Sequence, residues 1–204
     1  MLWARSGASI LASSAGGPTW PRERAGADEA GGVLFDLGSH LVDQALVLFG
    51  PVSHVYAEID SRRPGAQVDD DVFVALSHRS GVRSHLFASQ ATARAGERMR
   101  ALGSRAAYVK GGLDVQEALL RAGARPGPGW GREEPAAWGL LGTLDSAVPV
   151  ETEPGNYGAF YAGVVNAFRE GAPPPVRGSE AVTVLEVLEA ARRSAERGRG
   201  EARA

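Results

Sequence analysis

Apolar positions recur along the chain in two periods. From residue 31 to 50, Asp36, His40 and Asp43 fall at i, i+4 and i+7, while Leu37, Leu41, Ala45, Leu48 and Phe49 occupy the opposite side. With 3.6 residues per turn this spacing predicts an amphipathic helix, stopped by Gly50-Pro51. The period then falls to two. Runs at 52–60, 70–78, 82–91, 98–102 and 106–110 are rich in β-branched and aromatic residues and are separated by turn formers, among them Ser80-Gly81 and Gly103-Ser104, which predicts an antiparallel meander. Helical spacing returns weakly at 115–123, then at Tyr157, Tyr161, Val164, Val165 and Phe168, and finally over 179–197. For the last helix Ser179 is the expected N-cap, Val182, Leu185, Leu188 and Ala191 the expected stripe, and Glu189–Arg193 an expected ion pair.

The expected class is α+β: a large, mainly antiparallel open sheet with helices packed on one face. In the run from Asp70, the sets Val72, Val74, Leu76 and Asp71, Phe73, Ala75 are both largely apolar, so the other face is expected to serve oligomerisation. Residues 1–30 carry no periodic pattern and are expected to form an irregular lead-in or tail to a domain spanning 31–204. The short patch at 8–12 makes a poor secretion signal because Ser9 interrupts it and only Arg5 flanks it.

Composition narrows the function classes. The formal net charge of −2 supplies no electrostatic footprint for nucleic acid or anionic lipid. No apolar run is long enough to cross a bilayer, and the absence of cysteine excludes disulfides and thiolate chemistry, which agrees with a cytoplasmic setting. Lys110 is the only lysine. His78 and His85 have no carboxylate at fixed spacing and read as ordinary strand residues. Gly127, Gly129 and Gly131 imitate a phosphate loop, but no strand precedes them and no helix follows; Trp130 and Trp138 are expected to pack this loop down.

Candidate chemistry therefore concentrates in the first helix. From spacing alone, Asp36 could be an N-cap, Asp36 and His40 two of the ligands of a metal site, or His40 an acid/base group flanked by Asp36 and Asp43.

The block G-G-V-L-F-D-L-G-S-H-L-V-D-Q-A-L and the following L-F-G-P-V resemble the C-terminal domain of the glucose-fructose oxidoreductase, inositol dehydrogenase and rhizopine-catabolism (Gfo/Idh/MocA) family. D-D-D-V-F-V at 69–74, L-G-S-R-A-A-Y-V-K at 102–110 and the closing helix after P-P-P-V are similar too, as is the flavour of Trp20, Arg22 and Glu23. The resemblance implies that Asp36 and His40 are catalytic. The histidine would exchange a proton with a substrate hydroxyl or carbonyl while hydride moves to or from a nicotinamide. It further implies that Asp43 and Tyr157 bind substrate and that the cofactor is NAD or NADP.

Neither the family's glycine-rich nucleotide fingerprint nor its E-K-P lysine occurs in this sequence, and Lys110 is not assigned that role. The expectation is thus the substrate half of an oxidoreductase acting on a sugar, polyol or related hydroxy compound. It would be inactive alone and homo-oligomeric through the open sheet face, either as a truncated gene product or as one that works with a separately encoded nucleotide-binding chain. The alternative is a non-catalytic oligomerisation or ligand-binding module of the same descent.

Overall fold

The computed structural model describes residues 7–13, 30–94 and 96–201, with side chains over 30–94 and 96–198. Its element order is β1 (Gly7–Ser13), α1 (Val33–Phe49), β2 (Val52–Asp60), β3 (Asp71–His78), β4 (Arg83–Ser89), β5 (Met99–Leu102), β6 (Ala107–Lys110), α2 (Gln116–Arg121), β7 (Gly139–Gly142), β8 (Ala147–Val150), α3 (Tyr157–Glu170) and α4 (Gly178–Glu201). The strands form one open eight-stranded sheet in the order β2-β3-β4-β1-β5-β6-β7-β8. All neighbours are antiparallel except β1, which runs parallel to β4 and inserts between β4 and β5. The expected α+β class with an open, mainly antiparallel sheet is therefore observed.

Over residues 7–13 the expectation of an irregular lead-in is corrected by β1. A strand of Gly, Ala, Ser, Ile and Leu has weak intrinsic β-propensity, yet it pairs on both sides and lies at the centre of the sheet. Trp20, Arg22 and Glu23 lie outside the described residues.

Helix α1 packs on β4, β1 and β3, and α4 packs on α1 and β2. Between helices and sheet lies one core, in which Leu34, Leu41, Val42, Val72, Leu76 and Leu188 are each at most 2% exposed. Burying a side chain such as Leu41 contributes about 1.5–3 kcal/mol. The opposite face of β3 is only half-buried, since exposure alternates along the strand with Val72, Val74, Leu76 and His78 inward.

Four details of the helices differ from the pattern reading. In α4 the buried stripe is Val184, Val187, Leu188, Ala191 and Ala195, whereas Val182 and Leu185 are 54% and 50% exposed. Ser179 lies inside the helix, whose first turn is closed by Glu180 accepting from the Arg177 N–H at 2.7 Å. Glu189 pairs at 3.7 Å with Arg192, not with Arg193. Helix α3 forms where its spacing placed it but buries none of its residues; Phe160, Tyr161 and Phe168 are 47%, 69% and 89% exposed. Among the described residues no helix is long and apolar enough to cross a membrane.

Candidate active-site face

Helix α1 begins where Gly32 takes φ 98°, a left-handed conformation that L side chains rarely adopt, and a Cβ there would stand 2.2 Å from Asp69 Oδ1. That close approach exists because Asp69 caps the helix. Its backbone carbonyl accepts from Val33 N–H at 3.0 Å and its Oδ2 from Leu34 N–H at 2.7 Å. Burial pushes the Asp69 carboxyl up despite these donors. The possibility that Asp36 is the N-cap is thereby overturned: Asp36 sits in the first turn, and its own N–H donates to Gly32 O at 3.1 Å as part of the helix. Relieved of capping, the Asp36 carboxylate projects from the helix with His40 and Asp43.

Those three residues lie on the side of α1 turned away from Leu34, Leu41, Val42 and Ala45. Asp36 is half-buried, His40 and Asp43 are exposed, and Val47 continues the stripe at 77% exposure. Successive members stand about one turn apart, roughly 6 Å from Asp36 to His40 and about 4.5 Å from His40 to Asp43 along the axis. An imidazole between two carboxylates can take and return a proton, with an adjacent carboxylate orienting the ring. Gln44, one turn past His40, accepts from the half-buried Arg98 guanidinium at 3.1 Å. Burial lowers the pKa of Arg98. Asp36, His40 and Asp43 line neither of two cavities, of about 720 and 250 Å³, and the exposure of His40 and Asp43 leaves this face open to solvent in the single chain.

Tyr157 belongs to a different cluster. It opens α3, its N–H donates to Gln116 Oε1 at 2.9 Å, and burial followed by the charges of Asp114 and Glu117 raises its phenol pKa. Gln116 is fully buried and also accepts from Trp130 Nε1 at 2.9 Å while donating to Asp114 Oδ1 at 2.9 Å. Lys110 is likewise tied down, donating to Glu133 Oε2, to Ala137 O at 3.0 Å and to Thr152 Oγ1 at 3.2 Å. It anchors the loop between α2 and β7. His78 is a buried tie between elements, with Nδ1 2.7 Å from Gly50 O and Nε2 2.8 Å from Ser84 Oγ. His85 is exposed and packs against Phe73 with ring centroids 5.8 Å apart.

The reading of the sequence missed three residues that shape the site. Asp69, Arg98 and Gln44 join through contacts 35 or 54 positions apart, a distance over which no periodicity signals a pairing. The D-D-D run at 69–71 was the available clue. Asp69 caps α1, and Asp70, 1% exposed, accepts from Arg62 N–H at 2.7 Å, Arg63 N–H at 3.0 Å and Arg63 Nε at 2.9 Å. Asp71 pairs with Arg62.

A metal at Asp36 and His40 lacks further ligands, since no group of three or more His, Asp or Glu residues able to hold an ion occurs among the described residues. A nicotinamide dinucleotide does not fit the described residues either. Helix N-termini are the natural seats for a pyrophosphate. Here the starts of α1, α3 and α4 already engage Asp69, Asn156 and Glu180. In the glycine-bearing loop, the Trp130 and Arg132 amides donate to Gly127 O and Gly129 O at 3.0 and 3.2 Å.

Residues 8–109 match the GFO/IDH/MocA C-terminal domain model. The chain is 34% identical over 183 residues to scyllo-inositol 2-dehydrogenase (NADP(+)) IolW of Bacillus subtilis, covering 87% of this chain and 50% of that protein. It is 37% identical over 163 residues to the uncharacterized oxidoreductase YdgJ of Escherichia coli, covering 78% and 46%. The solved structure of YPO2259 from Yersinia pestis superposes with a TM-score of 0.82 at 32% identity over 96% of this chain and 55% of that one. The chain thus spans about half the length of the curated relatives it matches.

Proposed function

The chain belongs to the GFO/IDH/MocA oxidoreductase family by its C-terminal domain, and from that premise we propose that it supplies the substrate-side wall of an NAD(P)-dependent enzyme acting on a sugar, polyol or related hydroxy compound. The observation that carries this reading is the open face of α1, where His40 stands between Asp36 and Asp43. His40 exchanges a proton with the substrate hydroxyl, Asp36 one turn earlier orients the imidazole, and Asp43 and Tyr157 hydrogen-bond substrate. The cofactor is held by a nucleotide-binding domain outside these residues, and the assembled enzyme is cytoplasmic.

Joining the chain to the nucleotide-binding half of its Bacillus relative tests the assignment. The chimera should oxidise scyllo-inositol or a related polyol. His40→Ala should lower kcat/KM by about 10²–10⁴-fold, the range of general acid–base catalysis. The chain by itself should give no turnover with added NAD or NADP, because hydride transfer needs the reactants held about 3–3.5 Å apart. Turnover by the isolated chain, or full activity in the His40→Ala chimera, would sink the reading.

A non-catalytic assembly module is the second reading, favoured by the half-buried outer face of β3. It gains if the His40→Ala chimera is indistinguishable from the unmodified one.

A further inference from the structure

A recess lies elsewhere on the chain, lined by none of Asp36, His40 and Asp43. Residues of strand β2, at the edge of the sheet, and of helix α4 line a cleft of about 720 Å³. That lies within the roughly 300–1,000 Å³ typical of small-molecule sites. Its floor is apolar, with Leu46, Val52, Val55 and Val187, and its rim carries Arg79, Arg193 and Arg197 against the single carboxylate of Glu186. A cationic recess on a chain of net charge −2 is a local feature, not a reflection of overall basicity.

The charges are not used internally. Some surface arginines are paired, Arg62 with Asp60 and Asp71, Arg121 with Glu117 and Arg192 with Glu189, while others outside the cleft, such as Arg83 and Arg125, are not paired among the described residues. What sets the cleft arginines apart is that three of them line one recess. Among the described residues Arg79, Arg193 and Arg197 make no salt bridge. Arg193 and Arg197 also stand at i, i+4 on one helix face, an arrangement that destabilises a helix unless something neutralises it. The choice of Arg192 as the partner of Glu189 leaves Arg193 facing the cleft.

The backbone around the rim is held in place. Arg79 N–H donates to Pro51 O at 2.8 Å, Ser80 Oγ to Phe49 O at 2.8 Å, and Ala57 N–H to Ser194 Oγ at 3.2 Å, which fixes α4 to β2. A ligand entering would meet walls that are already ordered, so little freedom is lost on binding beyond that of the arginine side chains.

We propose that the cleft between β2 and α4 binds a small, multiply charged oxyanion, phosphate- or carboxylate-bearing, through the guanidinium groups of Arg79, Arg193 and Arg197. Their fork geometry suits both acceptors, and the apolar floor would receive the uncharged body of the ligand. The site is independent of the proton-transfer face, and its test requires no turnover.

Calorimetric titration of the whole chain at low ionic strength, with inorganic pyrophosphate in one arm and citrate in the other, reads the site directly. Saturable one-to-one binding of either probe is expected, and the tighter one names the acceptor chemistry. The double variant Arg193→Gln/Arg197→Gln, which keeps helix-forming residues on an exposed face, should weaken it by about tenfold or more. Arg121→Gln, which removes a cation outside the cleft, should leave it unchanged. No saturable binding of either probe, or an equal loss in the Arg121→Gln control, overturns the proposal.

Discussion

Neighbouring aspartates in the D-D-D run do opposite things. Burial would raise the Asp70 carboxyl, but the Arg62 and Arg63 amides and the Arg63 guanidinium outweigh it and hold its pKa below the ordinary value. Unfolded, an aspartate titrates near about 3.9. The stability that Asp70 contributes is therefore fully present above that pH and is lost as pH falls through the lower folded value. Asp69 has the reverse sign: its raised folded pKa gives stability below about 3.9 that is lost as pH rises through the folded value. Acid denaturation of the unmodified chain mixes the two, so a variant is needed to isolate one. Asp70→Asn should cost about 1–3 kcal/mol at pH 7, since buried donors lose a charged acceptor. The difference should shrink below about pH 4, once the reference carboxyl protonates. Urea titrations of both proteins across pH 3–8 check this, and a difference independent of pH would refute the charged role.

Element by element, what was legible followed the strength of the local pattern. Strands β2 to β6 lie within one or two residues of their expected limits because β-branched and aromatic runs ended by Gly or Ser turns leave few other readings. Strands β7 and β8 escaped notice because Gly-Leu-Leu-Gly has no β-branched or aromatic residue and Ala-Val-Pro-Val is interrupted by proline. Pro149 argues against a central strand, but β8 is an edge, where proline is tolerated. In α4 two apolar stripes compete in the sequence, and only the position of β2 and α1 selects Val184, Val187, Leu188 and Ala191 over Val182 and Leu185. The acid–imidazole stripe on α1 was readable because it is local; its cap was not, because Asp69 arrives from another element. The same non-local logic governs the start of α3. Gln116→Ala would leave Trp130 Nε1 and Tyr157 N–H without their shared acceptor. A loss of about 2 kcal/mol or more is expected by chemical denaturation, along with faster amide exchange at Tyr157. Unchanged exchange there would show that α3 is seated by other contacts.

For the molecule as a whole, the two sides of the sheet pose different problems. Over strands β1 to β4 one side is covered by α1 and α4 above a continuous core. On the other, Tyr56 lies opposite Ala75, Glu58 opposite Phe73, and Phe73 opposite Phe87, a mixed surface with aromatic rings directly paired across strands. Phe73 and Phe87 are only half-buried, so apolar area there stays in contact with water in the single chain. Covering it with the same surface of a second copy is the simplest closed solution, because a two-fold axis through a sheet face sets identical patches against each other. Light scattering of the purified chain should then give a dimer. Phe73→Glu should convert it to a monomer while leaving the core side untouched, since Val72 and Val74, its inward neighbours, are unchanged. A carboxylate at the centre of such an interface faces its symmetry mate and would be buried without a partner, costing several kcal/mol of association. Dissociation with retained circular dichroism separates loss of assembly from loss of folding. If the unmodified chain is a monomer at all concentrations, the outer face is not a self-association surface.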